Sequence, residues 1–192
     1  SNVSVIRGVN FQPVAFTGAA SDEDIRKSRI TIPDVLKKIE EQMTGILRKE
    51  DFYPVPCVLP FSDLVEAYTG RPQVRFTAHQ HCGAATYVFV EEDGITPINR
   101  MVNVESFFET IGQMAEDLKK GGTINKYKAL LEGVKNMHDS VKGGEQAATT
   151  EFWKIIGKTL IGQNFEALRE FHWNALFIGT MHFMDRYNYD LD

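Results

Sequence analysis

The chain has 192 residues, of which 43% are hydrophobic and 24% are charged, and these values are ordinary for a globular protein. A net charge of -5 with dispersed basic residues argues against a nucleic-acid partner, and no apolar run is long enough to cross a membrane. The first residues do not resemble a secretory signal, so we expect a single cytoplasmic domain over residues 1–192.

The chain begins with a strand pattern. Apolar residues alternate loosely over residues 3–16, with Gly8 as a bulge, and we assign residues 1–20 to a terminal strand. The next strand candidate lies more than fifty residues downstream. Because unpaired strand edges are unfavourable, we expect this strand to pair with residues 74–78 or 86–90, or with a second copy of the chain in a homo-oligomer.

A helix is predicted shortly after this strand. Residues 21–29 are charged and indicate a loop. Thr31 then has the properties of an N-cap, with Pro33 in the first helical turn and Asp34 three residues on. The apolar positions that follow repeat at helical spacing: Ile32, Val35, Leu36, Ile39 and Met43. We therefore expect an amphipathic helix that packs against the rest of the domain.

Cys57 lies in a proline-rich segment. Three prolines occur within residues 51–60, and because proline lacks an amide donor and extends the residue before it, this segment is not expected to be helical. A short helix over residues 62–68 follows and ends at Gly70. A thiol on such a stiff segment suits a metal ligand and a buried structural cysteine equally well.

A β-hairpin is the clearest local prediction. Residues 86–90 are rich in β-branched and aromatic side chains, Asp93-Gly94 is a strong turn signal, and residues 95–98 provide the returning strand. A further strand over residues 74–78 is expected to lead into this region. The hairpin therefore gives the centre of the chain a rigid framework.

His79, His81 and Cys82 fall within four residues directly before the hairpin. On a continuous strand, both imidazoles would share one face and Cys82 would point to the other. A zinc site would have to recruit further ligands from four candidates elsewhere in the chain: Cys57, His138, His172 and His182. The histidines could instead be hydrogen-bonding residues at a strand entry, and Cys82 with a histidine base is a weak pattern for a nucleophile.

The second half of the chain has the pattern of a helical region. Asn103 is a candidate N-cap for a helix that ends at Gly121, Thr123 begins another helix, and residues 150–178 show a long apolar-rich helical pattern. We divide the domain into a terminal strand, a cysteine-bearing α/β part with the hairpin, and a helical part, which span residues 1–20, 21–103 and 104–192. The predicted fold class is α+β, predominantly helical with a small β-sheet.

Four motifs together resemble a known family. They are GVNFQPV at 8–14, DFYPVPC at 51–57, HQHCGAATYVF at 79–89 and MHFMDRYN at 181–188. The combination resembles the carboxyl-terminal half of archaeal radical S-adenosylmethionine proteins of the tetraether lipid synthase type, also described as methanopterin-related methylases. The resemblance covers nearly the whole chain.

The resemblance implies that the first strand is the last part of a truncated partial (β/α) barrel. It also implies that an upstream region of the same polypeptide binds S-adenosylmethionine and a cleaving 4Fe-4S cluster, because the family's CxxxCxxC motif is absent from these residues. Cys57 and Cys82 would be two of the four ligands of an auxiliary 4Fe-4S cluster. The intact enzyme would form carbon–carbon bonds or transfer methyl groups by radical chemistry on a lipid or pterin-like substrate, and this chain alone would be inactive.

The residues alone are also consistent with two other kinds of protein. One is a non-catalytic binding or scaffold domain, in which the cysteines are structural and the helices bind a partner. The other is a His/Cys metal-binding domain that uses His79, His81, Cys57 and Cys82 as ligands. Neither of them requires an iron-sulfur cluster, so iron and sulfide content separates both from the enzyme.

Overall fold

A small mixed β-sheet organises the computed structural model, which describes residues 6–75, 77–91, 94–121, 132–133 and 175–185. The strands are β1 (Gly8–Phe11), β2 (Tyr53–Pro54), β3 (Gly83–Glu91), β4 (Gly94–Pro97) and β5 (Ala175–Met181). The helices are α1 (Asp22–Ser28), α2 (Ile32–Gln42), α3 (Leu59–Thr69), α4 (Ile98–Met101) and α5 (Val104–Lys119), and short 3-10 turns cover Lys49–Asp51 and Val55–Val58. The fold is α+β, as the sequence predicts.

Strand β3 makes most of the connections in the sheet. It pairs antiparallel with β5 along one edge, and with β2 and then β4 along the other edge. The far edge of β5 pairs in parallel with β1, so the strand order is β1-β5-β3-β2 with β4 beside β3. Pairing of β3 with β4, which starts at Glu91 opposite Gly94, confirms the predicted hairpin.

The partners predicted within the chain for the first strand are wrong. Strand β1 ends at Phe11, earlier than predicted, and pairs with β5 rather than with residues 74–78 or 86–90. Among the described residues 74–78, none lies in a strand, and Val74 is 74% exposed, so no neighbour buries this stretch. The strand expected to lead into the hairpin is therefore a loop.

Strand β5 itself was not predicted. Residues 175–181 are mostly apolar and carry no charge, and a central strand that is covered on both faces cannot be distinguished from a buried helix by periodicity. The helical pattern over residues 150–178 is therefore wrong for its last four residues, and residues 104–192 are not a purely helical part. The rest of that pattern lies outside the described residues. So does the helix expected from Thr123, except for residues 132–133, which are helical.

Two predictions about helices also need correction. Within residues 21–29, which were predicted to be a loop, Asp22–Ser28 forms α1. This helix is supported by its Ser21 cap, by acidic residues in its first turn and by the Lys27–Glu23 ion pair. Because it buries no side chain, its sequence has no apolar stripe from which a helix could be predicted. Residues 55–60 are helical, because Val55–Val58 forms a 3-10 turn and Pro60 lies in the first turn of α3, where proline is tolerated.

The predicted helix caps are confirmed. Thr31 Oγ1 accepts a hydrogen bond from the Asp34 N–H, while the Asp34 carboxylate accepts one from the Thr31 N–H at 2.9 Å. Asn103 Oδ1 accepts from the Ser106 N–H at the start of α5. Gly70 ends α3 with a φ of 68°, a left-handed conformation that favours glycine.

The hydrophobic core lies on both faces of the sheet. Val88 and Phe89 are neighbours in β3 and point to opposite faces. Phe89 packs with residues of α3 and α5, and Val88 packs with residues of α2 and with Ile178 of β5. Because β5 contributes to both clusters, the sheet is held between α2 on one side and the α3/α5 pair on the other.

Candidate functional site

The histidines and the cysteine of the HQHC motif lie in a tight turn. The Cys82 N–H donates to the His79 carbonyl oxygen at 2.8 Å, and the His81 N–H donates to His79 Nδ1 at 3.2 Å. The two imidazole rings meet edge to face with their centroids 4.8 Å apart. The expectation that a strand would separate Cys82 from the imidazoles is therefore wrong, because strand alternation does not apply within a turn.

The end of β5 lies beside this turn. Gly83, the first residue of β3, is opposite Met181, the last residue of β5. The next residues outward along the two chains are Cys82 and His182. The sheet register therefore delivers His182, one of the four distant ligand candidates, to the HQHC turn.

A cavity of about 390 Å³ lies where these segments meet. Its lining comes from the segment after β1, the residues before α2, the HQHC turn and the segment after β5: Val14, Arg29, Ile30, Thr31, His79, His81, Cys82, His182 and Met184. Three imidazoles, one guanidinium and one thiol thus face a common space. We call this space the histidine cavity.

A buried carboxylate ties two walls of the histidine cavity together. Asp185 accepts hydrogen bonds from Arg29 Nη2 at 3.0 Å and from the Phe16 N–H at 2.8 Å. The Arg29 guanidinium also lies over the Phe16 ring, 5.0 Å from its centroid. Asp185 therefore fixes the segment after β5 against the residues before α2.

Cys57 has a different environment from Cys82. Both thiols are free, and both residues are among those described, but only Cys82 lines the histidine cavity. Cys57 lies in the 3-10 turn before α3, where burial raises the pKa of its thiol to about 11. A protein environment that favours the neutral thiol is typical of a structural cysteine, unless a bound metal ion replaces the proton.

The two cysteine motifs are nevertheless neighbours in the sheet. Tyr53 and Pro54 of β2 are opposite Ala85 and Ala84 of β3. A Cβ atom built on Gly83 would lie 3.1 Å from Val55 Cγ2, so this side chain packs on the glycine backbone. The motifs that carry Cys57 and Cys82 therefore meet through adjacent strands, and a shared ligand for the two thiols stays a prediction.

The described residues do not complete a metal site by themselves. Within those parts of the chain, no three His, Cys, Asp or Glu side chains are close enough together to hold a metal ion. A four-thiolate cluster needs twice as many cysteines as the two that the sequence contains. A cluster held by four thiolates, with Cys57 and Cys82 among them, would thus need two thiolates from outside this sequence.

A second cavity, of about 430 Å³, lies between α2 and the β1–β5 pair. Its walls are mostly apolar and include Phe11, Val35, Ile39, Leu47 and Ile178. Among the lining residues Lys38 alone carries a charge. This apolar cavity lies beside the edge of β1, which pairs with a strand on one side in the described structure.

Sequence reasoning missed part of the histidine cavity. Arg29 lies in a charged segment that was assigned to a loop, and nothing in its neighbours distinguishes it from a solvated residue. Met184 and Asp185 belong to the MHFMDRYN motif, which was noted for its resemblance and given no role. Their position follows from the parallel pairing of β1 with β5, which local sequence does not encode.

None of the helices that the structure describes is long and apolar enough to span a lipid bilayer.

No family model matches the chain. A curated relative, 7,8-dihydro-6-hydroxymethylpterin dimethyltransferase of Methanocaldococcus jannaschii, is 42% identical over 193 residues. The alignment covers 99% of this chain and 38% of the relative, so the chain spans well under half of the relative's length. The chain is thus similar to one part of a larger pterin-methylating protein.

Proposed function

We propose that this chain is part of a methyltransferase that acts on a pterin-like substrate by radical S-adenosylmethionine chemistry. The observation that carries the proposal is the 42% identity, across 99% of the chain, to a protein named as a dimethyltransferase of a reduced pterin. Identity at this level over the whole chain is hard to explain without a common ancestor. Among the substrates expected from the sequence, the proposal therefore selects the pterin-like one over a lipid.

The arrangement of the four family motifs supports this proposal. GVNFQPV supplies β1, DFYPVPC supplies β2, HQHCGAATYVF supplies β3, and MHFMDRYN begins at the last residue of β5. These are the strands of a single sheet, in the order β1-β5-β3-β2. Motifs that are far apart in the sequence are therefore neighbours in space, as expected for segments that serve one site.

An auxiliary 4Fe-4S cluster belongs to the proposal. When bound, such a cluster supplies one-electron chemistry that side chains lack. Cys82 would provide one ligand from the histidine cavity. Cys57 would provide a second only after losing its proton, which its surroundings disfavour in the absence of iron. The other two ligands would come from another part of the same polypeptide.

The proposal also assigns a partner to the exposed edge of β1. Val9 and Phe11 are exposed, and their side chains line the apolar cavity over α2. A polypeptide segment that pairs with β1 would shield these side chains and satisfy the strand edge that has no partner among the described residues. We propose that this segment is the upstream region that binds S-adenosylmethionine, with β1 as the last strand of a partial (β/α) barrel.

The test uses a longer polypeptide that includes the upstream region, reconstituted anaerobically with iron, sulfide and reductant. We expect it to form 5′-deoxyadenosine from S-adenosylmethionine and to methylate 7,8-dihydro-6-hydroxymethylpterin, both measured by mass spectrometry. Cys82→Ala should abolish the methylated pterin and leave 5′-deoxyadenosine largely intact. Lys49→Ala, which changes an exposed side chain outside the four motifs, is the control for losses during preparation. Failure of the wild-type polypeptide to methylate any pterin would refute the proposal.

A metal-binding domain is the second candidate. It is favoured by the close approach of His79 and His81 and by their sharing of a cavity with Cys82 and His182. In that case the 192-residue chain should retain about one zinc ion after dialysis, and His79→Gln should lower the zinc content. The enzyme would be favoured if the 192-residue chain retains no zinc and the longer polypeptide binds two or more iron ions together with sulfide.

A further inference from the structure

The histidine cavity has the size and the composition of a small-molecule site. Its volume of about 390 Å³ falls within the range of roughly 300–1,000 Å³ that is usual for ligand pockets. Its walls come from four separate segments, and Asp185 joins three of them through its hydrogen bonds with Arg29 and Phe16. Because several segments converge on this cavity and a buried carboxylate fixes their positions, the cavity is a formed part of the fold.

The polar groups of this cavity are mainly hydrogen-bond donors and imidazoles. No carboxylate is found among its described lining residues. Two acidic side chains, Asp185 and Asp34, are hydrogen-bonded to the lining residues Arg29 and Thr31. Because each imidazole can either donate or accept, the cavity complements a ligand edge that carries both acceptors and donors without a net charge.

The nonpolar groups favour a flat ligand. Val14, Ile30 and Met184 are all well exposed in the structure and line the same cavity as the imidazoles. The rings of His79 and His81 meet at an interplanar angle of 79°, so one ring presents its face where the other presents its edge. A planar heterocycle would bury the apolar side chains with its faces and meet the polar groups with its edge.

His182 adds an unsatisfied hydrogen-bonding group. Its Nδ1 is buried, and no partner for it exists within the part of the chain that the structure describes. Buried polar atoms without partners are uncommon, because desolvation is then not compensated. Because His182 also lines the cavity, a bound ligand is a candidate for the missing partner.

We propose that the histidine cavity binds the ring of the pterin-like substrate and that His182 positions this ring. The inference rests on the proposed function for the identity of the heterocycle, while the location of the site follows from the cavity itself. A 7,8-dihydropterin is nearly flat and uncharged at neutral pH, and it carries amino, ring N–H and carbonyl groups along its edge. The cavity offers imidazole and guanidinium partners for such an edge, and Cys82 would then lie next to the substrate.

The experiment titrates the 192-residue chain, free of iron and S-adenosylmethionine, with fluorescent 6-hydroxymethylpterin and follows the change in its emission. We expect saturable binding that His182→Ala weakens at least tenfold, and that His182→Gln, which keeps a donor and an acceptor, weakens less. Lys49→Ala should bind like the wild type. Thermal unfolding of each variant shows that the fold is intact. If His182→Ala does not fold, His79→Gln, at an exposed position, takes its place.

Three results would overturn the inference. They are no binding of the pterin by the wild-type chain, equal affinity of the cavity variants and the wild type, and displacement of the pterin by adenosine at equal concentration. The last result would mark the cavity as a nucleoside site. Because these measurements need neither iron nor turnover, they can fail while the longer polypeptide still methylates the pterin. In that event the location is wrong and the proposed function stands.

Discussion

Arg29 Nη2 lies 3.0 Å from Asp185 Oδ1, and the side chain of Asp185 is only 4% exposed. The two residues are 156 positions apart in the sequence. Their ion pair joins the residues before α2 to the segment that follows β5. It is therefore a long-range constraint on the histidine cavity.

Replacement of Asp185 by Asn should destabilise the protein. The change removes the charge that compensates Arg29 and weakens the acceptor of the Phe16 N–H, which leaves a mostly buried guanidinium without its partner. We expect a loss of about 3 kcal/mol in the free energy of unfolding, measured with urea. The control is Asp63→Asn, which breaks the more exposed Asp63–Arg75 pair and should cost about 0–1 kcal/mol. Equal losses of unfolding free energy in the two variants would show that the Asp185 ion pair does not stabilise the fold more than an exposed pair does.

Gly179 should not tolerate a side chain. A Cβ atom at this position would lie 2.7 Å from the Phe177 ring and 3.0 Å from Asn10 Oδ1, and the Phe177 ring packs against Tyr87 at 5.5 Å. Because the ring is held from its other side, we expect Gly179→Ala to cost about 1–3 kcal/mol and to loosen the pairing of β1 with β5.

The matched control is Gly94→Ala, where an added Cβ meets no atom within 4 Å. This change should leave the urea midpoint nearly unchanged. Hydrogen exchange at the β1 amides would report the loosening directly. A Gly179→Ala variant with native exchange rates in β1 would contradict the expected crowding.

The thiol of Cys57 should react slowly at neutral pH. Burial raises its pKa to about 11 from an ordinary value of 9.0, so at pH 8 the thiolate fraction is roughly a hundredfold lower than for an ordinary thiol. Alkylation of Cys57 by iodoacetamide, measured in the Cys82→Ser variant, should therefore be slow at pH 8 and rise with pH up to about 11. A rate that levels off near pH 9 would show that the thiol is not desolvated.

The same shift predicts how stability depends on pH. Between pH 9 and about 11 the unfolded chain loses the Cys57 proton while the folded chain keeps it, so the contribution to stability that is present below pH 9 is lost as the pH rises. Cys57→Ala should lack this part of the decline. Urea unfolding at pH 8, 9 and 10 measures the difference between the two proteins.

The capping box at Thr31 should matter for the start of α2. Hydrogen bonds from the Thr31 hydroxyl and N–H lower the pKa of Asp34, so the cap is favourable above the ordinary pKa near 3.8 and is lost as the pH falls below it. Thr31→Ala should lower the midpoint of urea unfolding at pH 7, and the difference from the wild type should shrink below pH 4. Thr44→Ala, another exposed threonine of the same region, should show no such pH dependence.

Local elements followed from the sequence because their causes are local. The Thr31 cap, the Asn103 cap, the Gly70 helix end and the hairpin through Gly94 each depend on residues within a few positions of one another. Helix α1 escaped prediction because its support is entirely polar, and the helical turn at Val55–Val58 escaped because prolines suggested an extended segment. Helix α1 forms through its polar cap and ion pair without an apolar stripe, and the turn at Val55–Val58 leads directly into α3.

The sequence by itself determined the α+β class, the hairpin and the presence of a His/Cys cluster. The tertiary structure decided which distant residues join that cluster. Strand β5 pairs with β1 and β3 through backbone groups that every residue has. Its side chains therefore do not indicate which strands it pairs with. That pairing brings His182 to Cys82 and Asp185 to Arg29, and it leaves Cys57 outside the histidine cavity. Long-range pairing of this kind depends on the packing of the whole sheet, which a local pattern of residues does not encode.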